Sequence, residues 1–278
     1  RDRVRGDPIR RLVMTPAALA PEAEPEKVLD KARRLGIPVL RMQSMEGATP
    51  GALAPVDIED LLLRPSHDVD AERVGHFVRG MRCVVTGGGG SIGSEICHRL
   101  QAYGAAAILI IENSELALHS VTEDLSGGDG GTHVSGHIAD VRDKDRLAAL
   151  IAAFKPDIVF HAAALKHVPY LEQDWTEGIK TNVIGSINTA EAAIAAGASA
   201  MVMISTDKAI QPVSMLGATK RFAEIAIAAL NHERSGVRLI SVRFGNVLGS
   251  AGSVVPIFRS QIDRGGPVTV THPEMARY

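Results

Sequence analysis

Residues 84–95 read VVTGGGGSIGSE. A short apolar run beginning at Cys83 enters four consecutive glycines, and a helix-compatible stretch from Ser94 to Tyr103 leaves them. Gly87, Gly90 and Gly93 have the spacing of a loop that turns tightly and brings its backbone close to a pyrophosphate. The phosphate charge then meets the free amides of a helix start. Glycine spacing alone is weak, because any flexible loop supplies it. Here a buried strand precedes it, a helix follows it, and a carboxylate stands about twenty residues beyond Gly93, which together predict a nucleotide site. That carboxylate, Glu112, ends the apolar run AAILIIE, placed to accept hydrogen bonds from the adenosine ribose hydroxyls and to repel a 2′-phosphate. No Arg or Lys lies within IENSELALHS to compensate, which favours NAD over NADP.

Outward from this loop the pattern repeats. HIADV, DIVFHAAA, AMVMIST and RLISVRF follow as further strands, with helical segments between most of them. Apolar runs without period-two alternation indicate strands covered on both faces, so the expected fold is α/β, a doubly wound parallel sheet that binds ligands at its carboxyl edge. Upstream, a strand (Arg11 to Met14), a helix (about Glu22 to Leu35) and a second strand (Ile37 to Met42) form a β-α-β unit too small to stand alone. A connecting helix over Val69 to Val78 puts the boundary between about Pro65 and Gly80. The chain starts without Met and ends at MARY just after a strand-like PVTVTH, so both ends read as cuts in a longer protein.

Composition narrows the function classes. With 278 residues, 45% of them apolar, a substantial core is expected. Thirty basic and 32 acidic residues give a net charge of -2 without a basic stripe, which argues against nucleic acid as a partner. Cys83 and Cys97 fit neither a zinc cluster nor a redox pair and read as buried, reduced thiols suited to the cytoplasm. The longest apolar run, Ala105 to Ile111, falls far short of the ~20 residues of a membrane-spanning helix. No membrane contact by this chain itself is expected. Trp175 and the histidines lack metal-ligand spacing, so no metal is expected and they read as structural.

The ordered set TGGGGSIG, ADVRD, HAAALKHVP, TNVIGSINTAEAA, STDKAIQPVSMLGATK and VRFGNVLGSAGSVVP resembles the extended short-chain dehydrogenases/reductases. Within them it is most similar to the polysaccharide-biosynthesis UDP-N-acetylglucosamine 4,6-dehydratases, from about residue 55 to the last residue. The resemblance implies three parts. Residues 1–65 would be the C-terminal part of an upstream Rossmann-like domain, 66–80 a connecting helix, and 81–278 an NAD-binding catalytic domain cut short at its C-terminus. It also implies a long, membrane-anchored parent with inner-membrane helices upstream, and a homo-oligomer. Such enzymes remove a hydride from sugar C4, eliminate water across C5 and C6, and return the hydride to C6, so the cofactor is recycled and the protein supplies its own acid and base.

The resemblance then assigns roles. Thr206 touches the sugar 4-OH, Asp207 protonates the departing O6, Lys208 takes the C5 proton and Lys220 binds the nicotinamide ribose. An acid Asp requires a raised pKa and a base Lys a lowered one; burial favours both, and their mutual attraction opposes both. At Leu216, four residues before Lys220, the superfamily usually carries a tyrosine. Leucine moves no proton, so Asp207 or a water held by Thr206 is expected to take the 4-OH proton. Around the cofactor, Thr86, Ser91 and Ile92 join the three glycines and Glu112, with Val141, Ala162 and Ala163 following the next strands. Asp140 either receives the adenine amino group or caps the following helix. Lys166 reaches the sugar or cofactor, or is simply solvated; Asn182 steadies the active-site lysine, or serves a cap or turn. Asn246, assisted by Ser253 and Arg277, is expected to hold the diphosphate of the UDP-sugar substrate. Two other readings stay open: a UDP-sugar 4-epimerase, which would rely on the missing tyrosine, and a catalytically silent nucleotide-binding module.

Overall fold

Why CVVT becomes the centre of the molecule is visible in its packing. In the computed structural model, β4 (Arg82–Thr86) is apolar on both sides: Val84 enters a core with Leu147, Ile151, Met201 and Met203, while Cys83 and Val85 enter another with Ile108, Ile110, Cys97 and Val121. A strand sandwiched this way cannot alternate apolar and polar residues. The structure describes residues 9–19, 23, 25–42, 53–55, 70–126, 131–233, 236–247, 254–270 and 272. Both cysteines are free and buried, and burial pushes each thiol up to about 12, which keeps them as inert apolar filling.

The chain divides into two units, residues 1–69 and 70–278. In the first, β1 (Leu12–Met14) pairs parallel with β2 (Val39–Met42) through α1 (Pro25–Arg34), and β2 pairs antiparallel with β3 (Leu53–Pro55). The three-residue β3, ending in proline, carries no alternation that sequence could reveal.

The second unit opens with α2 (Ala71–Val78), capped by the Asp70 carboxylate accepting from Arg73 N at 2.9 Å. Its Val78 is buried in the Cys83 cluster, so this helix belongs to the sheet it precedes. After β4 come α3 (Ser91–Ala102), β5 (Ala107–Glu112), α4 (Glu115–Ser126), β6 (His133–Ile138), α5 (Lys144–Phe154) and β7 (Ile158–His161). Two short helices, α6 (Val168–Gln173) and α7 (Trp175–Gly178), lead into a π-helical turn, Ile179–Ile184, and α8 (Gly185–Ala195). Then follow β8 (Ala200–Thr206), a 3-10 turn (Asp207–Ala209), α9 (Met215–Glu233), β9 (Arg238–Phe244) and α10 (Val254–Asp263).

Among the described residues, six strands pair in the order β6-β5-β4-β7-β8-β9, every neighbour parallel. The order reverses between β4 and β7, the place where doubly wound sheets open a crevice at their carboxyl edge. Register aligns that edge: Thr86 sits opposite both Ile111 and His161. The expectation of two covered faces fails at the ends of the sheet. β6 and β9, the outer strands of the described sheet, are largely exposed. The alternating PVTVTH is a second correction, since residues 268–270 form no strand.

Candidate functional site

Three glycines hold the turn after β4 for identifiable reasons. Gly87 has φ +69°, and a Cβ there would lie 2.5 Å from Ala163 N. A Cβ on Gly93 would overlap the Gly87 carbonyl oxygen. Gly90 is the N-cap of α3, in extended conformation with no side-chain cap hydrogen bond, at a helix start of the kind that attracts anions. Gly88 and Gly89, not singled out from the sequence, are equally constrained: Cβ atoms would meet Ile110 Cγ2 at 2.5 Å and Ala117 Cβ at 2.6 Å. The run of four glycines was the signal for them. Ala162 N donates to Thr86 O at 2.9 Å, so Ala162 and Ala163 clamp the loop against the end of β7. Ser91 is exposed and Ile92 half-buried at the start of α3.

Glu112 closes β5, only 9% exposed. Its Oε2 accepts from Gly89 N at 3.0 Å, and its Oε1 accepts from Asn113 N at 3.0 Å and Ser114 N at 3.1 Å. The carboxylate therefore ties the glycine loop to the end of the neighbouring strand.

Asp140 does not cap the following helix. Asp143 does, accepting from Arg146 N at 3.1 Å, because it directly precedes α5. Asp140 instead accepts from Arg142 N at 2.9 Å and Arg142 Nε at 2.8 Å, and the hydrogen bond from the Arg142 side chain holds its carboxyl below the usual range. Arg142 continues to Glu177 at 2.7 Å. Val141, buried beside it, fills the space where a Cβ on Gly185 would stand.

At the end of β8, Thr206 Oγ1 donates to Asp207 Oδ1 at 2.9 Å, and Lys208 Nζ donates to the same Oδ1 at 3.0 Å and to Asn246 Oδ1 at 3.2 Å. The pair is half exposed, 48% for Asp207 and 36% for Lys208. Burial lifts the Asp207 pKa, yet the hydrogen bonds from Lys208 and Thr206 outweigh it and leave the carboxyl below its ordinary value. A raised pKa for the acid, expected from its role, is thus absent in the ligand-free pair. Gly217 lets the Lys208 carbonyl approach the start of α9, where any side chain would collide. Glu172, which sequence gave no reason to choose, caps that helix by accepting from Met215 N at 2.7 Å.

Lys220 is 5% exposed and donates to Ile204 O at 2.9 Å; burial pushes its pKa down to about 8 against the opposing pull of Glu224. Leu216, 8% exposed, occupies the tyrosine slot as an apolar plug. Glu224 accepts from Ser205 Oγ at 2.6 Å and from Arg243 at 2.8 and 2.7 Å, and these bonds, Arg243 first, hold its carboxyl at about 2. Asn182 is fully buried: its Oδ1 accepts from Leu165 N at 2.8 Å, and its Nδ2 donates to Leu165 O at 3.0 Å and Thr219 Oγ1 at 3.1 Å. It braces the loop that presents exposed Lys166 against the helix that carries Lys220. The Asn246 carbonyl is engaged by Lys208, leaving its amide hydrogens for a ligand. Ser253 and Arg277 lie outside the described residues. No group of three His, Cys, Asp or Glu suited to a metal occurs among the described residues, and no described helix is long and apolar enough to cross a membrane.

Comparison with known proteins agrees with this architecture. Residues 83–278 match the family described as polysaccharide biosynthesis protein. The chain is 47% identical over 83% of its length to the probable polysaccharide biosynthesis protein EpsC of Bacillus subtilis, spanning 38% of that protein. It is 36% identical to the UDP-N-acetylglucosamine 4,6-dehydratase (inverting) of Campylobacter jejuni, covering 72% of this chain and 59% of that one. To the UDP-glucose 4-epimerase of Rickettsia rickettsii it is also 36% identical, over 70% and 57%. Among solved structures, Pen from Bacillus thuringiensis superposes with TM-score 0.68 at 33% identity, covering 73% of this chain and 63% of that chain. WbmG from Bordetella bronchiseptica, solved with NAD and UDP, superposes at 0.54 and 28% identity, over 66% and 60%. The chain spans about two-fifths of the length of EpsC, and the proteins it is similar to include sugar dehydratases and epimerases. On the match over residues 83–278, the chain belongs to the polysaccharide biosynthesis protein family.

Proposed function

We propose that the chain carries out the NAD-dependent dehydration of a UDP-N-acetylhexosamine, a UDP-N-acetylglucosamine 4,6-dehydratase reaction giving a 4-keto-6-deoxy sugar for surface polysaccharide or glycoconjugate assembly. The observation that supports this most is the joined Thr206–Asp207–Lys208 set beside a buried leucine in the tyrosine slot. An epimerase has no water to expel and no use for such a pair.

The residues present fit a dinucleotide: the glycine loop leaves little room for side chains, Gly90 offers no side-chain cap at the start of α3, and Glu112 ends β5 where a ribose would be held. When bound, NAD supplies reversible oxidation at sugar C4. Thr206 already donates to Asp207, so a proton leaving the 4-OH to Thr206 has a carboxylate waiting behind it. Protonated Asp207 is then the acid for O6, which departs as water. As O6 leaves, Lys208 in its neutral form accepts the C5 proton, acidified by the C4 ketone, and it returns a proton to C5 when C6 is reduced. Lys220, buried and bonded to the Ile204 carbonyl, would hold the nicotinamide ribose.

Incubation with UDP-N-acetylglucosamine in D2O tests the reading. Deuterium at C5 with loss of water is expected. An epimer without water loss points instead to the epimerase, and NAD binding without turnover to the silent module.

A further inference from the structure

His161 ends β7 with no solvent exposure, and its hydrogen bonds determine its protonation. With the Ser186 Oγ hydrogen given to Asn182 O at 2.7 Å, Ser186 stands as an acceptor 2.9 Å from His161 Nε2. That pattern assigns the ring proton to Nε2. Nδ1 is bare and receives the Thr86 hydroxyl at 2.7 Å, while Thr189, 3.4 Å from Nδ1, gives its own hydrogen to Gly185 O at 2.7 Å. Burial, then the Lys220 charge, push the imidazole pKa down to about 3, in keeping with a ring that stays neutral.

The run does not stop at Ser186. Asn182 lies in the π-helical turn, whose extra residue per turn redirects side chains relative to an α-helix. Its carbonyl takes Ser186, and its amide reaches Thr219, the residue before Lys220. Thr86, at the other end, directly precedes Gly87. One buried sequence of hydrogen bonds thus leads from the glycine loop to the lysine helix, with His161 the member that joins the sheet to the π turn.

We infer that His161 is a positioning residue, a neutral two-ended link that holds the glycine loop and the Asn182–Thr219 contact in one frame, so that cofactor cradle and Lys220 keep a fixed relation. This rests on the proposed function in taking loop and lysine to serve one cofactor. In His161→Phe, the ring shape remains and both nitrogens go, leaving the buried Thr86 hydroxyl unpaired. NAD affinity and turnover are expected to fall together by about tenfold or more. His161→Gln, which restores one donor and one acceptor, should recover most of both. A purely structural role would lower the melting temperature while leaving NAD affinity and turnover of the folded fraction unchanged.

Nitrogen-15 NMR of the wild-type chain, labelled at histidine, should show one ring with the proton on Nε2 and no titration between about pH 5 and pH 8. A titrating ring, a proton on Nδ1, or a folded His161→Phe with wild-type NAD affinity and turnover overturns the inference. If His161→Phe does not fold, Ser186→Ala replaces it: removing the Nε2 acceptor should lower turnover more than NAD affinity, and unchanged kinetics overturn the inference. Should no dehydration be found for any variant, NAD affinity and the NMR tautomer still decide it, separately from the fate of the proposed reaction.

Discussion

The glycine loop after β4 and the Asp207–Lys208 strip after β8 stand on the same sheet edge but are built in opposite ways. In the loop, backbone does the work: missing Cβ atoms allow Gly87, Ala163 and Gly93 to touch, and one side chain, Glu112, is locked by three amides. In the strip, side chains do the work, half exposed and, among the described residues, held by one another and by Asn246. A binding surface gains from rigidity, since little entropy is lost when the ligand arrives. In the proposed reaction an acid and a base exchange protons, and a loosely held pair suits that task.

The sharpest way to break this contrast is Asp207→Asn. Turnover should drop by about 10²–10⁴-fold, the usual weight of a general acid-base group, with NAD affinity unchanged; near-normal turnover would remove Asp207 from the proton route. Gly93→Ala should do the reverse. Its Cβ overlaps the Gly87 carbonyl, so NAD affinity, measured by titration calorimetry, should fall by about a hundredfold, roughly 3 kcal/mol.

A third test probes what lies beneath the strip. The folded pKa of Glu224, about 2, is below its unfolded value, so its stabilisation is complete above the unfolded value and drains away as pH falls towards 2. Glu224→Gln should lose about 2–3 kcal/mol at neutral pH in denaturant titrations, with the gap to wild type closing on acidification. The smallest effect is expected from Leu216→Met. A volume-conserving swap in the plugged tyrosine slot should change stability by under about 1.5 kcal/mol and leave turnover near wild type. A large loss of turnover there would mean that the leucine shapes the reacting sugar.

The loop was legible in sequence and much of the strip's surroundings was not, for a physical reason. Gly87, Gly93 and Glu112 answer to local demands, a positive φ, a close backbone approach and a strand end, and local demands leave local patterns. The sheet was readable for the same reason, through apolar runs such as AAILIIE. The Arg243–Glu224–Ser205 group and the Thr86–His161–Ser186 run join residues from distant segments, and their members look ordinary where they stand. Asp140 and Asp143 show the limit within a single turn. Both are aspartates near a helix start, and only the backbone path decides that the later one caps. Residues 268–270 of the strand-like PVTVTH form no strand, so alternation alone does not make a sheet.

The three amides on Glu112 carry an evolutionary consequence. A carboxylate free to swivel could be neutralised by one new arginine nearby, and a phosphorylated ribose would then fit. This one is anchored through both oxygens, and the Gly89 amide among its anchors belongs to the glycine loop itself. On the proposed NAD reading, a switch to the phosphorylated coenzyme would have to replace the glutamate and also reseat the loop tied to it.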